Sequence, residues 1–404
     1  MTAHVLRGDA RHLPLPDASV DLVITSPPYF GLRSYTDNGE HYAGQIGSES
    51  TPQEWLEALW ACTAEWVRVL KPDGNLFVNL GDKYATSASG KLGASGSKTA
   101  YVRDGYRDTS KFAREKSLLG LPWRYALGCT DQLGLILRAE IIWAKPNGLP
   151  ESVTDRVRRA HEQVFHFTRQ PRYYAAVDEI REPTVRRERP WELENRWPDR
   201  PRAARAAGGA MEPDRTLAFN PLGKLPGSVW DIPSSPLQVP ERVGVDHFAA
   251  FPPALVRPIV LGWSPPGVCT ACGHGRRPVV DAAFDTQGRT TNGPKNGERR
   301  SAGALNMASN VRSVRSTTIT GYACACPRLD APTRPAVVLD PFGGTGTTAL
   351  VASTYGRVGV TVDLSADYCR LAHWRVNDPG ERARARAMPK PPPIPDGMEP
   401  LFTM

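Results

Sequence analysis

The chain has 404 residues, 40% of them hydrophobic, with 50 Lys and Arg against 42 Asp and Glu, a formal net charge of +8. That suffices for a sizeable core in one large or two ordinary domains, and no apolar run reaches the eighteen residues that a membrane helix needs. The N-terminus MTAHVLRGDA lacks the layout of a signal peptide, so a cytoplasmic protein is expected, and the arginine-rich excess of charge fits either a solvated surface or a nucleic-acid partner.

In chain order, HVLRGD reads as a short strand ending at Gly8-Asp9. A second strand, Val20 to Thr25, runs straight into Ser26-Pro27-Pro28-Tyr29. Thr51-Pro52-Gln53-Glu54 carries a capping box with proline at the first helical position. Trp55, Leu59, Cys62, Trp66 and Leu70 then fall on one helical face. The tetrad Lys71-Pro72-Asp73-Gly74 is expected to stop this helix before a strand at Asn75 to Leu80. Residues 85–117 are polar and rich in Gly and Ser, and read as a long loop, functional and able to close over a partner or else disordered. Apolar strand patterns return at Leu135–Trp143, Val164–Phe167 and Arg172–Ala175.

Residues 181–205 break that texture, with eight arginines against five acids and with Trp191 and Trp197 interleaved. Residues 264–330 form a second insertion with cysteines near both ends. The Arg- and Pro-rich stretch from about residue 383 reads as a tail, and no internal repeat is present.

The segment AVVLDPFGGTGTTALVASTYG, residues 336–356, is the most informative junction. A buried strand ends at Asp340-Pro341-Phe342. Gly344 and Gly346 permit close backbone approach, and Thr347 opens a helix. The strand VGVTVD follows, ending in Asp363, and Ser365 caps another helix. A βαβ unit with a glycine-rich first turn and an acid after its second strand has the physics of a nucleoside site. GGTG lacks the G-x-G-x-x-G spacing of a dinucleotide fingerprint and the Gly-Lys-Ser/Thr of a phosphate loop. A nucleoside cofactor without phosphates fits better, and S-adenosylmethionine is the candidate.

The prolines at 27 and 28 remove backbone donors and leave carbonyls. Such a corner suits an amino group that must donate its protons, with Ser26 Oγ and the Pro27 carbonyl accepting and Tyr29 stacking on a planar base. TSPPY together with DPFGGTGTT resembles the S-adenosylmethionine-dependent amino-methyltransferases of DNA bases. Their motif [S/N/D]-P-P-[Y/F/W] is matched by Ser26, Pro27, Pro28 and Tyr29, and their F-x-G-x-G turn by Phe342, Gly344 and Gly346. The order, with the catalytic corner first and the cofactor turn last, is similar to that of the β group. The likeness covers about residues 4–83, 118–180, 225–264 and 335–377.

The resemblance implies an α/β, Rossmann-like methyltransferase fold with a mostly parallel twisted sheet in circularly permuted motif order. It divides the chain into a catalytic half (1–180), a basic target-recognition region (181–226), a cofactor-site helix segment (227–263), a Cys-flanked insertion (264–330), a cofactor-binding half (331–380) and the tail (381–404). It implies methyl transfer to a base flipped out of duplex DNA. Asp363 would bind the ribose, Asp9 would lie near the adenine, and Asp340, Pro341 and Thr347 belong to the cofactor turn. Serine in the first motif position favours cytosine N4 over adenine N6. RNA methylation and a non-catalytic, zinc-containing DNA-binding protein are the other readings. Arg186, Arg187, Arg189, Arg196, Arg200, Arg202 and Arg205 are candidates for phosphate or guanine contacts. Such a protein would be bacterial or phage-encoded, with or without a separately encoded restriction endonuclease.

Seven cysteines do not suggest a disulfide framework in the cytoplasm. Cys62, Cys129 and Cys369 read as buried thiols. Cys269-x-x-Cys272 and Cys324-x-Cys326 have the short spacings of a structural zinc site, a zinc-ribbon-like module, against an alternative of four reduced free thiols.

Overall fold

The structure is a computed structural model that describes residues 2–31, 36–37, 40–41, 44–86, 109–148, 150–183, 222–245, 251–286, 313–328 and 330–389. Contacts divide the chain into two units. Met1–Glu179, Gly227–Arg277 and Cys324–Met404 form the first, and Ile180–Pro226 with Pro278–Ala323 the second. Both cysteine pairs therefore belong to the first unit. No helix among the described residues is long and apolar enough to cross a membrane.

The elements of the first half are β1 (Ala3–Arg7), β2 (Val20–Thr25), the short pair β3 (Thr36–Asp37) and β4 (Glu40–His41), α1 (Pro52–Val69), β5 (Leu70–Leu80), α2 (Leu121–Asp131), β6 (Ile136–Ala144) and β7 (His161–Thr168). They are followed by β8 (Val229–Asp231), α3 (Pro253–Trp263), β9 (Val268–Cys269), β10 (Arg277–Thr286), β11 (Ser313–Ala323) and β12 (Thr333–Arg334). The chain then forms β13 (Val337–Asp340), α4 (Thr347–Thr354), β14 (Val358–Asp363), α5 (Ala366–Asn377) and α6 (Pro379–Ala385).

Eight strands make one sheet in the order β1-β14-β13-β2-β5-β7-β6-β8. Only β7 runs against its neighbours β5 and β6; every other pair in this sheet is parallel. The central strand β2 is buried at all six positions, which is why VDLVIT reads as a continuous run rather than an alternation. Its one charge, Asp21, pairs with Lys71 and accepts from the Val337 N–H at 2.8 Å. Burial raises the Asp21 carboxyl above its ordinary value, against the pull of Lys71.

Helices α1 and α2 cover one face through Trp55, Leu59, Trp66 and Tyr125. Helices α3, α4 and α6 cover the other through Val256, Ile259, Leu350 and Ala385. The capping box forms as the sequence predicts. Glu54 N–H donates to Thr51 Oγ1 at 3.2 Å, and Thr51 N–H to Glu54 Oε2 at 3.1 Å. Asp82, just beyond β5, accepts from Gly120 N–H at 3.0 Å and Leu121 N–H at 3.1 Å, so it caps α2 across the sequence.

Two sequence expectations fail. Lys71 to Gly74 do not separate helix from strand, because β5 starts at Leu70 directly after α1. The Asp21–Lys71 pair holds this start against β2, and a register shift between Val20 and Leu22 absorbs the irregularity. Residues Arg172–Ala175 form no strand. Their backbone docks elsewhere, with Tyr174 N–H on the Asp73 carbonyl at 2.9 Å and Ala176 N–H on that of Gly262 at 2.7 Å.

In the second unit, β10 and β11 pair as a two-stranded ribbon. Separately, Glu182 and Lys224 exchange both backbone hydrogen bonds at 3.0 Å and join their side chains in an ion pair at 3.0 Å.

Candidate active site

The crossovers β2–α1–β5 and β13–α4–β14 leave the adjacent strands β13 and β2 in opposite directions. Ligands in open α/β sheets bind beyond the carboxyl ends of strands at such a reversal. A cavity of about 600 Å³ lies there, within the usual range for a small-molecule site. Ser26, Pro27, Pro28 and Tyr29 line it from β2, and Asp340, Pro341, Phe342, Gly344 and Thr347 from β13 and the turn after it. Asp363 and Asp9 also reach it, from the ends of β14 and β1. The two sequence motifs, more than 300 residues apart in the chain, thus open on one space.

The corner after β2 is tied by side chains that sequence reading did not single out. Tyr29 Oη donates to Glu162 Oε2 at 2.8 Å. Asn79 Nδ2 lies 2.9 Å from Tyr29 Oη, 2.8 Å from Glu162 Oε2 and 3.3 Å from Ser26 Oγ. Lys145 closes the set as an ion pair with Glu162. Burial works to raise the Glu162 carboxyl, yet Lys145, Asn79 and Tyr29 outweigh it and hold it below the usual carboxylate value. Asn79 Oδ1 is buried without a protein partner. The Tyr29 ring is wedged against Gly81, where a Cβ would come within 2.7 Å of Cε2. Trp55 Nε1 donates to the Pro28 carbonyl at 3.0 Å, so that oxygen is already engaged.

The glycine turn is equally constrained. Gly344 N–H donates to Asp363 Oδ2 at 2.8 Å, and Ser365 N–H to Asp363 Oδ1 at 2.9 Å. A Cβ on Gly343 would lie 1.5 Å from Thr361 Oγ1, so this glycine, which the sequence motif leaves unnamed, is fixed by packing. Gly344 has φ +47° and open space where a Cβ would point, which leaves its α-carbon accessible to a ligand. Asp340 is fully enclosed. It accepts from Phe342 N–H at 3.1 Å and Thr348 Oγ1 at 2.9 Å, and burial lifts its carboxyl to about 7. Thr347 turns its hydroxyl inward rather than to the cavity. Buried Arg375 donates to Thr345 Oγ1 and Thr347 Oγ1, each at 2.7 Å, and pairs with Glu381 at 2.8 Å. Arg11 grips the Asp9 carboxylate through Nε at 3.0 Å and holds it below its ordinary value, chiefly by this hydrogen bond.

The DNA methylase family model matches residues 20–271 of this chain. The chain belongs to the DNA methylase family. It is 36% identical over 253 residues to the Type II methyltransferase M.XycI of Xanthomonas campestris pv. cyanopsidis, covering 63% of this chain and 69% of that one. To the Type II methyltransferase M.Cfr9I of Citrobacter freundii it is 33% identical over 66% of this chain and 74% of the relative. Among solved structures, the cytosine-N4-specific PvuII DNA methyltransferase superposes with a TM-score of 0.51 at 15% identity, covering 96% of this chain and 91% of that one. The architecture is accordingly the Rossmann-like α/β methyltransferase fold, with its mostly parallel sheet and single reversed strand.

In this methylase the four clustered cysteines come together. One ligand atom from each of Cys269, Cys272, Cys324 and Cys326 lies within 4.8 Å of all the others. Backbone N–H groups of Cys272 and Ala271 hold the Cys269 thiol down at about 6. Cys62 and Cys129 are buried thiols, pushed up to about 12 by desolvation. Cys369 departs from that expectation. It is only half-buried, with Sγ 3.7 Å from the Leu6 and Asp363 carbonyls. Arg186, Arg187, Arg189, Arg196, Arg200, Arg202 and Arg205 lie outside the described residues, as do Trp191, Trp197 and most of the 85–117 loop.

Asn79, Lys145 and Glu162 escaped the sequence reading because each sits in or beside the end of a strand with no spacing motif of its own. The available signal was polarity out of place: the asparagine at 79 within the apolar run of NLFVNL, and the lysine directly after the apolar IIWA.

Proposed function

We propose that this methylase transfers a methyl group from S-adenosylmethionine to the exocyclic N4 of a cytosine at a specific site in double-stranded DNA. The observation that carries the reading is the shared cavity, into which both the Ser26–Tyr29 corner and the Phe342–Gly346 turn open. The fit of the cofactor rests on the open space beside Gly344, the Asp363 carboxylate at the end of β14, and the volume of the cavity. S-adenosylmethionine, when bound, supplies an electrophilic methyl group on a sulfonium.

The protein's own residues hold the acceptor. Because Tyr29 Oη gives its proton to Glu162, the 3.4 Å contact between Ser26 Oγ and Tyr29 Oη leaves Ser26 as the donor. The Ser26 proton then points at Tyr29, and an oxygen lone pair is left to accept from the amino group of a flipped base. The Pro27 carbonyl offers a second acceptor. Together they orient the amino nitrogen's lone pair for in-line displacement, so rate enhancement comes from positioning and electrostatics. Ser26, rather than an aspartate, heads the motif and supports cytosine over adenine as the target. The Type II designation of the relatives supports a cytoplasmic location and a separately encoded restriction endonuclease as partner.

The test is expression in a host free of DNA methylation, digestion of its DNA to nucleosides and mass spectrometry, with Ser26→Ala as control. N4-methylcytosine that disappears in Ser26→Ala is the expected result. N6-methyladenine would keep the chemistry and overturn the base. Unmodified DNA from a chain that binds the cofactor would overturn methyl transfer to DNA.

A further inference from the structure

Cys269, Cys272, Cys324 and Cys326 are not among the residues that line the cavity. We infer that they bind one zinc ion as a tetrahedral tetrathiolate that clips together the two chain segments bordering residues 278–323. This inference is independent of the methylated base and of the proposed substrate.

The geometry is that of a built site rather than a chance cluster. All four sulfurs lie within 4.8 Å of one another, and none is in a disulfide. A zinc–sulfur bond of about 2.3 Å puts tetrahedral sulfurs about 3.8 Å apart, so a small contraction completes the sphere. The first pair sits on a tight knuckle. Gly273 N–H donates to the Cys269 carbonyl at 2.9 Å, Cys269 N–H donates to the His274 carbonyl at 2.9 Å, and Gly273 has φ +75°. This turn aims backbone N–H groups at the sulfurs, those of Ala271 and Cys272 at Cys269 and that of His274 at Cys272.

The segment that follows the second pair is held against the knuckle by backbone pairing. β9 pairs antiparallel with β12, placing Thr333 opposite Cys269, and Thr270 N–H donates to the Pro332 carbonyl at 3.0 Å. Four soft thiolates select zinc over magnesium or calcium, which take oxygen ligands. With no open position for water, such a site is structural. Binding displaces the thiol protons and leaves a complex of net charge −2, with no redox step. Three of the four cysteines are partly exposed, which gives the metal a way in.

The experiment is metal analysis of the full chain purified from zinc-supplemented cells without chelator. One zinc per chain, released by an organomercurial, is expected. Replacement by cobalt should give thiolate-to-metal charge-transfer bands and the intense visible bands of tetrahedral coordination. Cys272→Ser and Cys326→Ser should lose the metal, and Cys369→Ser should keep it. A folded wild-type chain without metal, whose clustered thiols all react at once with a disulfide reagent, would overturn the site. So would a weak, octahedral cobalt spectrum. Neither reading of wild type depends on whether a cysteine variant folds.

Discussion

Tyr29 and Glu162 lie 133 residues apart in the chain and share a hydrogen bond of 2.8 Å. The bond exists because β7 is reversed. The starting residues of β7 therefore meet the finishing residues of β5 and β6, and Glu162, second in β7, arrives at the same sheet edge as Tyr29. Asn79 on β5 stands between them and bonds to both.

Glu162→Gln should lower the rate of methyl transfer and weaken the fold. Lys145 would lose its counter-charge in a site where both side chains are about one-fifth exposed. The expected cost is about 2 kcal/mol at neutral pH. Because the folded value of Glu162 is depressed, its contribution is present above the ordinary carboxylate value of 4.5 and fades as the pH falls through the folded value. Urea unfolding of wild type and variant should differ by a constant amount above about pH 5 and converge in stronger acid. A difference that grows in acid would contradict this.

Gly81→Ala should impair catalysis with little effect on stability. The new Cβ would meet Tyr29 Cε2 at 2.7 Å and Cδ2 at 3.2 Å, and it is the ring that must move. Misplacement of a positioning group by about 1 Å costs on the order of 10²-fold in rate. Single-turnover methylation reads the loss, and thermal unfolding should stay near wild type. Wild-type activity in Gly81→Ala would mean that the ring position does not matter.

Asp340 titrates in the opposite sense to Glu162. Burial lifts it to about 7, against 3.8 when exposed. Between these values the folded chain binds a proton that the unfolded chain has released, so stability falls as pH rises from about 4 to 7. Asp340→Asn should flatten that decline while keeping an oxygen for the Phe342 N–H. Denaturant midpoints across this window measure it, and parallel slopes for both proteins would refute the assignment.

Arg375→Met should destabilise by roughly 3–5 kcal/mol, the cost of stranding one half of a buried ion pair. Glu381 would lose its 2.8 Å partner and keep only the more exposed pair with Arg384 at 3.4 Å, and Thr345 and Thr347 would lose their shared donor at the start of α4. Replacing Glu381 by Met as well should recover part of the loss, because the stranded charge is then gone. Strictly additive losses in the double variant would show that the pair does not act as a unit.

Local signals in the sequence determined much of this protein. Ser26-Pro27-Pro28-Tyr29 and Phe342-x-Gly344-x-Gly346 announce themselves because proline narrows and glycine widens the backbone conformations open at its own position, wherever it stands. The capping box at Thr51 and the apolar face of α1 are legible for the same reason, since both depend on residues within a few turns of one another. The cysteine pairs are legible by spacing, although their proximity across the 51 intervening residues is a fact of the fold.

Only the tertiary structure decided how the corner is held. Asn79 and Glu162 meet Tyr29, and Lys145 meets Glu162, through strand order and the reversal of β7, and no local pattern encodes which strand lies beside which. It likewise turned Thr347 toward Arg375 and assigned Gly343 its packing against Thr361. It also kept Arg172–Ala175 from becoming a strand, because the backbone N–H groups of Tyr174 and the following Ala176 find partners at Asp73 and Gly262 rather than in a ladder. Hydrogen bonds and ion pairs between distant segments depend on where the sheet carries each residue, and that placement is a property of the whole chain.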